Sequence, residues 1–395
     1  MSTTEILSNY KNEVKTIETE SQIKESKESF LSGLCGNLNV IVPLSVTQKD
    51  RKCHCFIIAD KEKALVYYSN LCNFLKKEKV YFFPYSFIAP YDDELINNAN
   101  VVMRTEVIQA LLEKTKEKIY IVTYPEGVFE KFPEERIQKE KRTIVNKKDK
   151  IQIGDFVEGL NNNGFHKVDF VVEPGEFAVR GNIIDVFSFS YKKPVRIELD
   201  GNDVERLRLF DPNTQLTEDD IKEAKIISNK SLEDKGGNYV SLFNFFNEDW
   251  VIWGDEISLS ANIIDEKNKQ AIELYEEIKN KSKVVLSLPP KKRFLDKKLF
   301  LEELSRFKRV EFGRENKKNN STKIKYNSSP QPKFNKNLSL LVDDLKKHQE
   351  NHYSINISFQ SEEQSRRLFS YFESIGFEVK YLSLIHISEP TRPSS

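Results

Sequence analysis

Long apolar runs are missing from this sequence. No stretch of about 18 consecutive apolar residues occurs, the length a membrane-spanning helix needs, and no basic-then-apolar leader opens the chain. These absences predict neither a membrane span nor secretion, and so a cytoplasmic protein. Excess charge of either sign is missing too: 61 Lys+Arg stand against 61 Asp+Glu. That balance argues against a general nucleic-acid-binding surface, although local patches can survive such an average. Cysteine is scarce, with four residues, Cys35, Cys53, Cys55 and Cys72, all early in the chain. Cys53-His54-Cys55 invites a metal reading, but zinc sites use two separated ligand pairs and no second pair follows at a suitable spacing. Buried or free thiols are the better reading. His348 and His352, four apart on an expected helix, lack carboxylate or cysteine support and read as a solvated face.

Arginine is the last scarcity: only 15 of the 61 basic residues are Arg. An Arg kept where Lys would balance charge equally well suggests a need for its planar fork. Four of them, Arg180, Arg196, Arg206 and Arg208, fall in the short stretch from Pro174 to Gln215. There Val195, Ile197 and Leu199 alternate with Arg196, Glu198 and Asp200, the period of a half-buried strand. Gly201-Asn202 supplies the positive φ of a two-residue hairpin turn. Glu205, Leu207 and Leu209 then return against Val204, Arg206, Arg208 and Phe210, and Asp211-Pro212-Asn213 closes the ribbon as a turn. The ribbon thus offers water an Arg-bearing face suited to a protein partner or to phosphates. A solvated strand face with cross-strand Glu and Arg pairs remains open beside that reading.

The rest of the chain alternates helices and strands. Residues 5–31 are charged and helical in pattern, and Asn39 to Leu44 reads as a first apolar strand. Cys55 to Asp60, Val80 to Phe83 and Ile119 to Val122 read as further strands, with helices from Lys61 to Leu75 and Val101 to Lys114. This alternation predicts an α/β fold with a parallel sheet. Thr143 to Val145, a helix from Ile153 to Asn163 and the meander form a small α+β module. The α/β pattern resumes at Val251-Ile252-Trp253 and Val284-Val285-Leu286, which makes the module an insertion. The expected division is 1–142 and 226–312 for the two parts of the α/β domain and 143–225 for the inserted module. Residues 313–334, rich in Asn, Lys, Ser and Pro, read as a linker. Residues 335–381 begin a second, small α/β domain, with helices from Leu338 to Lys347 and Glu362 to Ile375 and strands from Tyr353 to Phe359 and Phe377 to Tyr381. Residues 382–395 read as a tail: Leu382 to Pro393, LSLIHISEPTRP, looks like a translated sequencing-library adapter, which would make the natural chain longer.

The runs GEFAVRGNIIDVF and RIELDGNDVERLRLFDPNTQ resemble the module shared by the excision-repair protein UvrB and the transcription-repair coupling factors, the Mfd family. In those families it docks the damage-recognition ATPase UvrA. The resemblance places Arg180, of the Val-Arg-Gly triplet, on a UvrA-contacting arginine and Phe187 on the aromatic that ends the same strand. It places His166 or Lys167, in Gly164-Phe165-His166-Lys167, on another basic contact, with Arg196 as a further candidate. The small residue Ala178 stands where UvrB has one more arginine.

Two features separate the families. UvrB needs a phosphate loop, Gly-x-x-x-x-Gly-Lys-Ser/Thr. In the matching stretch, Gly33 to Val40, the residues Leu38, Asn39 and Val40 stand where Gly, Lys and Ser/Thr would be, so the loop lacks the ammonium and the metal-binding hydroxyl. A strand-end acidic pair, Asp255-Glu256, persists. Phe82 to Thr105 resembles the UvrB stretch that holds its DNA-clamping hairpin, but it is shorter and carries Pro90-Tyr91-Asp92-Asp93-Glu94, whose acidic residues would repel a phosphate backbone. Both features point to the coupling factors. The resemblance implies a UvrB-like domain without catalytic, cofactor or metal residues that recruits UvrA where RNA polymerase has stalled. It also implies a longer parent that uses ATP and magnesium to translocate on double-stranded DNA and displace the polymerase. The alternative is a degenerate UvrB-like excision-repair protein that still binds nucleotide.

Overall fold

The computed structural model describes residues 3–47, 50, 52–75, 79–87, 90–91, 97–113, 117–134, 142–227, 238–281, 288–313, 322–353, 355, 357 and 362–377. The chain opens with helices α1 (Thr3–Lys11) and α2 (Val14–Glu25), strand β1 (Glu28–Ser32) and helix α3 (Leu38–Thr47). Then come β2 (His54–Ile57), α4 (Lys61–Phe74), β3 (Lys79–Phe83), α5 (Asn98–Leu112), β4 (Ile119–Thr123), α6 (Pro125–Phe129) and β5 (Phe132–Pro133). The inserted region holds β6 (Thr143–Asn146), α7 (Ile153–Asn162), β7 (His166–Lys167), β8 (Glu176–Arg180), β9 (Ile183–Val186), β10 (Val195–Asp200), β11 (Asp203–Phe210), β12 (Thr217–Asp220) and β13 (Glu223–Ile226). The chain continues with β14 (Tyr239–Val240), β15 (Val251–Asp255), α8 (Ile257–Lys281), α9 (Pro290–Arg293), α10 (Lys297–Leu304), β16 (Lys308–Phe312) and β17 (Thr322–Lys325). Last are α11 (Leu338–Glu350) and α12 (Glu362–Ser374).

Seven strands form one sheet in the order β17-β1-β16-β15-β2-β4-β3, and every neighbouring pair is parallel. Its central strands His54–Ile57 and Ile119–Thr123 are buried on both faces, as the apolar runs Cys55 to Ile58 and Ile119 to Val122 require of parallel strands covered by helices. Strands from before and after the insertion thus share one core, in which Phe56, Tyr120 and Trp253 are almost fully buried. The fold is mixed α/β with a large parallel sheet, as expected.

The first strand is not where the pattern put it. Asn39 to Leu44 lies inside α3, and the strand is Glu28–Ser32, within the stretch expected to be helical. A short apolar run fits a buried helix as well as a buried strand, and this one is helical with Pro43 inside it. Pro43 has no N–H for the carbonyl of Asn39, four residues earlier. That carbonyl instead accepts a hydrogen bond from the Tyr67 hydroxyl of α4 at 2.9 Å.

The expected linker at 313–334 is likewise corrected at Thr322–Lys325, which forms the edge strand β17 beside β1. Its short, polar Thr-Lys-Ile-Lys sequence carries little strand signal, and only Ile324 is buried. The described residues do not include Val284-Val285-Leu286, most of the strand expected at Tyr353 to Phe359, Phe377 to Tyr381 beyond Phe377, Asp92 to Glu94, or the tail at 382–395. The expected helices near the end are present as α11 and α12, packed on each other through Val342, Leu345, Phe372 and Phe377. His352 lies past the end of α11 with φ +61°, so it does not share a helix face with His348.

The insertion is a six-stranded sheet ordered β12-β11-β10-β9-β8-β7, antiparallel except for β7 against β8. A second, two-stranded sheet pairs β6 with β13. The α7 helix and the β6/β13 pair cover one face of the larger sheet and bury Leu160, Phe165, Phe177, Ile184, Ile197 and Leu207 with Val145 and Ala224. The hairpin forms at Gly201-Asn202, with Gly201 at φ +61°. Pairing runs Glu198↔Arg206 and then Leu199↔Val204, so Glu205 is an extra residue in β11. This bulge breaks the expected alternation and puts both Val204 and Leu207 on the buried side.

Candidate docking face of the inserted module

The face of the larger sheet turned away from α7 is built by strand register. One row carries Arg180, Ile183, Glu198 and Arg206, and the next Ala178, Asp185, Arg196 and Arg208. The four arginines therefore share a face, as the alternation predicted for the ribbon. Asp185 lies under them with no exposed surface. Its Oδ1 accepts from Arg196 Nε at 2.8 Å and its Oδ2 from Arg196 Nη2 at 2.9 Å. Arg180 Nη2 donates to the same Oδ2. The hydrogen bonds to Asp185 raise the pKa of Arg196 above its ordinary value and keep it charged. Arg196 also lies 4.5 Å over the ring of Phe210 and donates to the Gln215 carbonyl at 3.3 Å.

The candidate residues separate by exposure. The Arg180 side chain is 38% exposed and that of Arg196 15%. Arg196 is thus spent mainly inside the module, while Arg180 keeps an open edge. Arg206 is more open than either, with Glu205 beside it at 4.0 Å, and Arg208 is paired with Glu198. Phe187 is buried with Val171, Ala178 and Phe210 in a small cluster on this same face, so it supports the surface from beneath. His166 and Lys167 are both exposed at the sheet edge. His166 pairs with Glu176, in the row of Phe187, whereas Lys167 pairs with Phe177, in the row facing α7. Register therefore assigns His166, and not Lys167, to the arginine face.

Residues 168–173 cross this face and add what the pattern did not reveal. Val171 is fully buried under the crossing, while Phe170 and Val172 point outward at 60% and 48% exposure. The Arg180 guanidinium lies 5.1 Å from the centroid of the Phe170 ring. Gln215 Nε2 donates to the Val171 carbonyl at 3.1 Å, which ties the crossing to the turn that exposes Leu216. Gln215 itself has φ +60°, and the turn is fixed by Asp211, whose carboxylate accepts from the amides of Asn213 and Thr214. Those amides lower the Asp211 pKa. The result is an exposed apolar group, Phe170, Val172 and Leu216, beside clamped arginines. Charge-depleted apolar centres rimmed by Arg are typical of protein interfaces.

Residues 144–232, which contain this face, match the UvrB interaction domain family. The chain is similar to the transcription-repair-coupling factor of Rickettsia prowazekii, 29% identical over 161 residues that make up 40% of this chain and 14% of that protein. It is similar to the Myxococcus xanthus factor, 44% identical over 64 residues, 16% of this chain and 5% of that one. With the Staphylococcus aureus (strain Mu50) factor the identity is 31% over 162 residues, 40% and 13% of the two chains. The chain is thus similar to transcription-repair-coupling factors, and one part of it matches the UvrB interaction domain. The matched stretches span 14% or less of those relatives' own length.

Outside residues 144–232, the stretch that resembles an eroded phosphate loop, Gly33 to Val40, runs from the end of β1 into the first turn of α3 rather than into the strand expected from Asn39. Part of its backbone is taken up by the chain itself. An ideal Cβ placed on Gly33 would lie 2.0 Å from the Tyr326 carbonyl oxygen, and the Cys35 amide already donates to Ser328 Oγ at 3.0 Å. Asp255 ends β15, where burial and then Glu256 raise its pKa. Arg104, from the stretch that resembles the region around the DNA-clamping hairpin, is buried and donates to the carbonyls of Pro84 and Gly127 at 2.6 and 2.7 Å. Phe83 and Phe132 flank its guanidinium at 4.3 and 4.5 Å, so this arginine holds the core together. No cluster of three or more His, Cys, Asp or Glu suited to a metal occurs among the described residues, at Cys53-His54-Cys55 or elsewhere. No helix among them is long and apolar enough to cross a membrane.

Proposed function

We propose that the arginine face of the UvrB interaction domain docks UvrA, and that the chain is the recruiting, non-catalytic part of a transcription-repair coupling factor. The observation that carries this reading is the open edge of Arg180, held by buried Asp185 and laid against exposed Phe170. A guanidinium fixed in this way loses little freedom on meeting a partner carboxylate, and the ring beside it offers apolar area. His166 and Arg206 extend the basic surface, while Arg196 and Phe187 hold it from within. In this proposal RNA polymerase and double-stranded DNA are partners of other domains of a longer parent, which also bind ATP and magnesium. The chain itself works in the cytoplasm, at sites where transcription has stopped.

The test is biolayer interferometry of the chain against UvrA from the same organism, with Arg180→Ala in parallel. Truncating a buried interfacial charge costs about 2 to 5 kcal/mol, so the variant should bind at least about 30-fold more weakly. Wild-type affinity in Arg180→Ala would remove the site. A folded wild-type chain that fails to bind UvrA would remove the function.

A further inference from the structure

The loop between β1 and α3 is filled by the chain's own residues. Strand β17 runs parallel to β1, with Ser32 opposite Lys325, and the chain continues past the carboxyl end of the sheet over the loop. Open α/β sheets bind ligands at that end. Tyr326 N–H donates to the Ser32 carbonyl at 2.8 Å, and its carbonyl packs directly on Gly33. Ser328 Oγ accepts from the Cys35 amide at 3.0 Å and donates to the Gly33 carbonyl. The Cys35 thiol donates to the Ser328 carbonyl at 3.6 Å. The Tyr326 side chain reaches the opposite way, to Thr19 Oγ1 at 2.6 Å and the Lys15 carbonyl at 3.2 Å, both on α2.

In a phosphate loop the backbone amides are left free for phosphate oxygens. Here a serine hydroxyl oxygen meets the amide of Cys35, and a backbone carbonyl covers Gly33. Gly33 has φ +74° and no room for a Cβ, so the close approach depends on glycine at this position. The same strap leads to the helical unit of α11 and α12, whose first turn is capped by Asn337.

We propose that residues 322–328 are an internal ligand of this loop, a strap that closes it to nucleotide and latches the α/β body to the segment leading to α11. The loop is then inert for two separate reasons. Its Lys and Ser/Thr are absent, and its Cys35 amide is occupied while the Tyr326 carbonyl covers Gly33. Restoring the lost side chains alone does not restore binding, because the strap must also leave. Conversely, loosening the strap frees the loop while the core strands stay intact.

Two measurements on the full chain decide the matter. Hydrogen exchange of the 33–37 segment in Ser328→Ala should accelerate at least about tenfold, with β4 unchanged as the internal control for global unfolding. Unchanged exchange at 33–37 would overturn the latch. The second is titration of a fluorescent ATP analogue with magnesium into Asn39→Lys/Val40→Thr, which leaves the strap in place. No saturable binding is expected. Saturable binding with the strap intact would show that missing side chains alone explain the inert loop. Neither readout involves the arginine face, so the result stands apart from UvrA docking.

Discussion

Arg196 meets Asp185 with two nearly equal hydrogen bonds, 2.8 and 2.9 Å, at a carboxylate that has no exposed surface. This bidentate pair is the fixed half of the arginine face, and Arg180, which shares only Oδ2, is the movable half. Removing one partner of a buried pair costs about 3 to 5 kcal/mol. Asp185→Ala should therefore lower the melting temperature markedly in calorimetry. Arg180→Ala leaves the Arg196 pair in place and should move it little. Equal losses from the two substitutions would contradict the division of roles.

Phe170 should behave in the opposite way to Asp185. Its ring is mostly exposed, so Phe170→Ala removes little buried area from the module itself. In the docking proposal it removes a central apolar contact, and such aromatic positions are often worth 2 kcal/mol or more, roughly 30-fold. The expected outcome is weaker UvrA binding with an unchanged melting temperature. An unchanged dissociation constant would take Phe170 out of the interface.

The hairpin of this module was legible because Gly201-Asn202 and the flanking alternation are local signals. The parallel sheet was legible for a similar reason, since Cys55 to Ile58 and Ile119 to Val122 are apolar without interruption. Strand β17 was not, because Thr322–Lys325 owes its place to a neighbour, β1, about 300 residues earlier in the chain. At the candidate site, Arg180 could be singled out from its sequence context. The role of Asp185 could not, because it depends on arginines from two adjacent strands converging on one buried carboxylate. Phe170 escaped notice because an exposed aromatic in a loop has no period to reveal it.

Helix α3 offers a stability test. Tyr67→Phe deletes the hydroxyl that satisfies the Asn39 carbonyl, which Pro43 leaves without a helical donor. A buried acceptor left unpaired costs about 1 to 3 kcal/mol. Urea denaturation should show a loss of that size with little change in slope. No loss would mean that water reaches the carbonyl.

The buried imidazole of His54 predicts a pH dependence. Trp253 Nε1 donates to its Nδ1 at 3.2 Å, which places the ring proton on Nε2, facing Asp50 at 3.2 Å. Tyr120 stacks on the ring, and Lys118 lies 3.4 Å from Asp50. Burial lowers the His54 pKa below its ordinary 6.5, against the opposing pull of Asp50. The unfolded chain therefore takes up this proton first on acidification. Stability from this group is complete above pH 6.5 and falls as the pH drops from there toward the lowered folded value. His54→Gln should flatten that part of a stability-versus-pH curve. A wild-type curve already flat from pH 7 to 5 would rule out the assignment.

Strands β6 and β13 pair Thr143 with Ile226, so the module's entry and exit strands lie side by side. Neighbouring strands are about 4.8 Å apart, and a graft onto another host would need only a site whose two ends match that gap. Changes in the host sheet need not cross this neck, and changes in the arginine face need not reach back through it. A module joined in this way can keep its surface while the sheet that carries it changes.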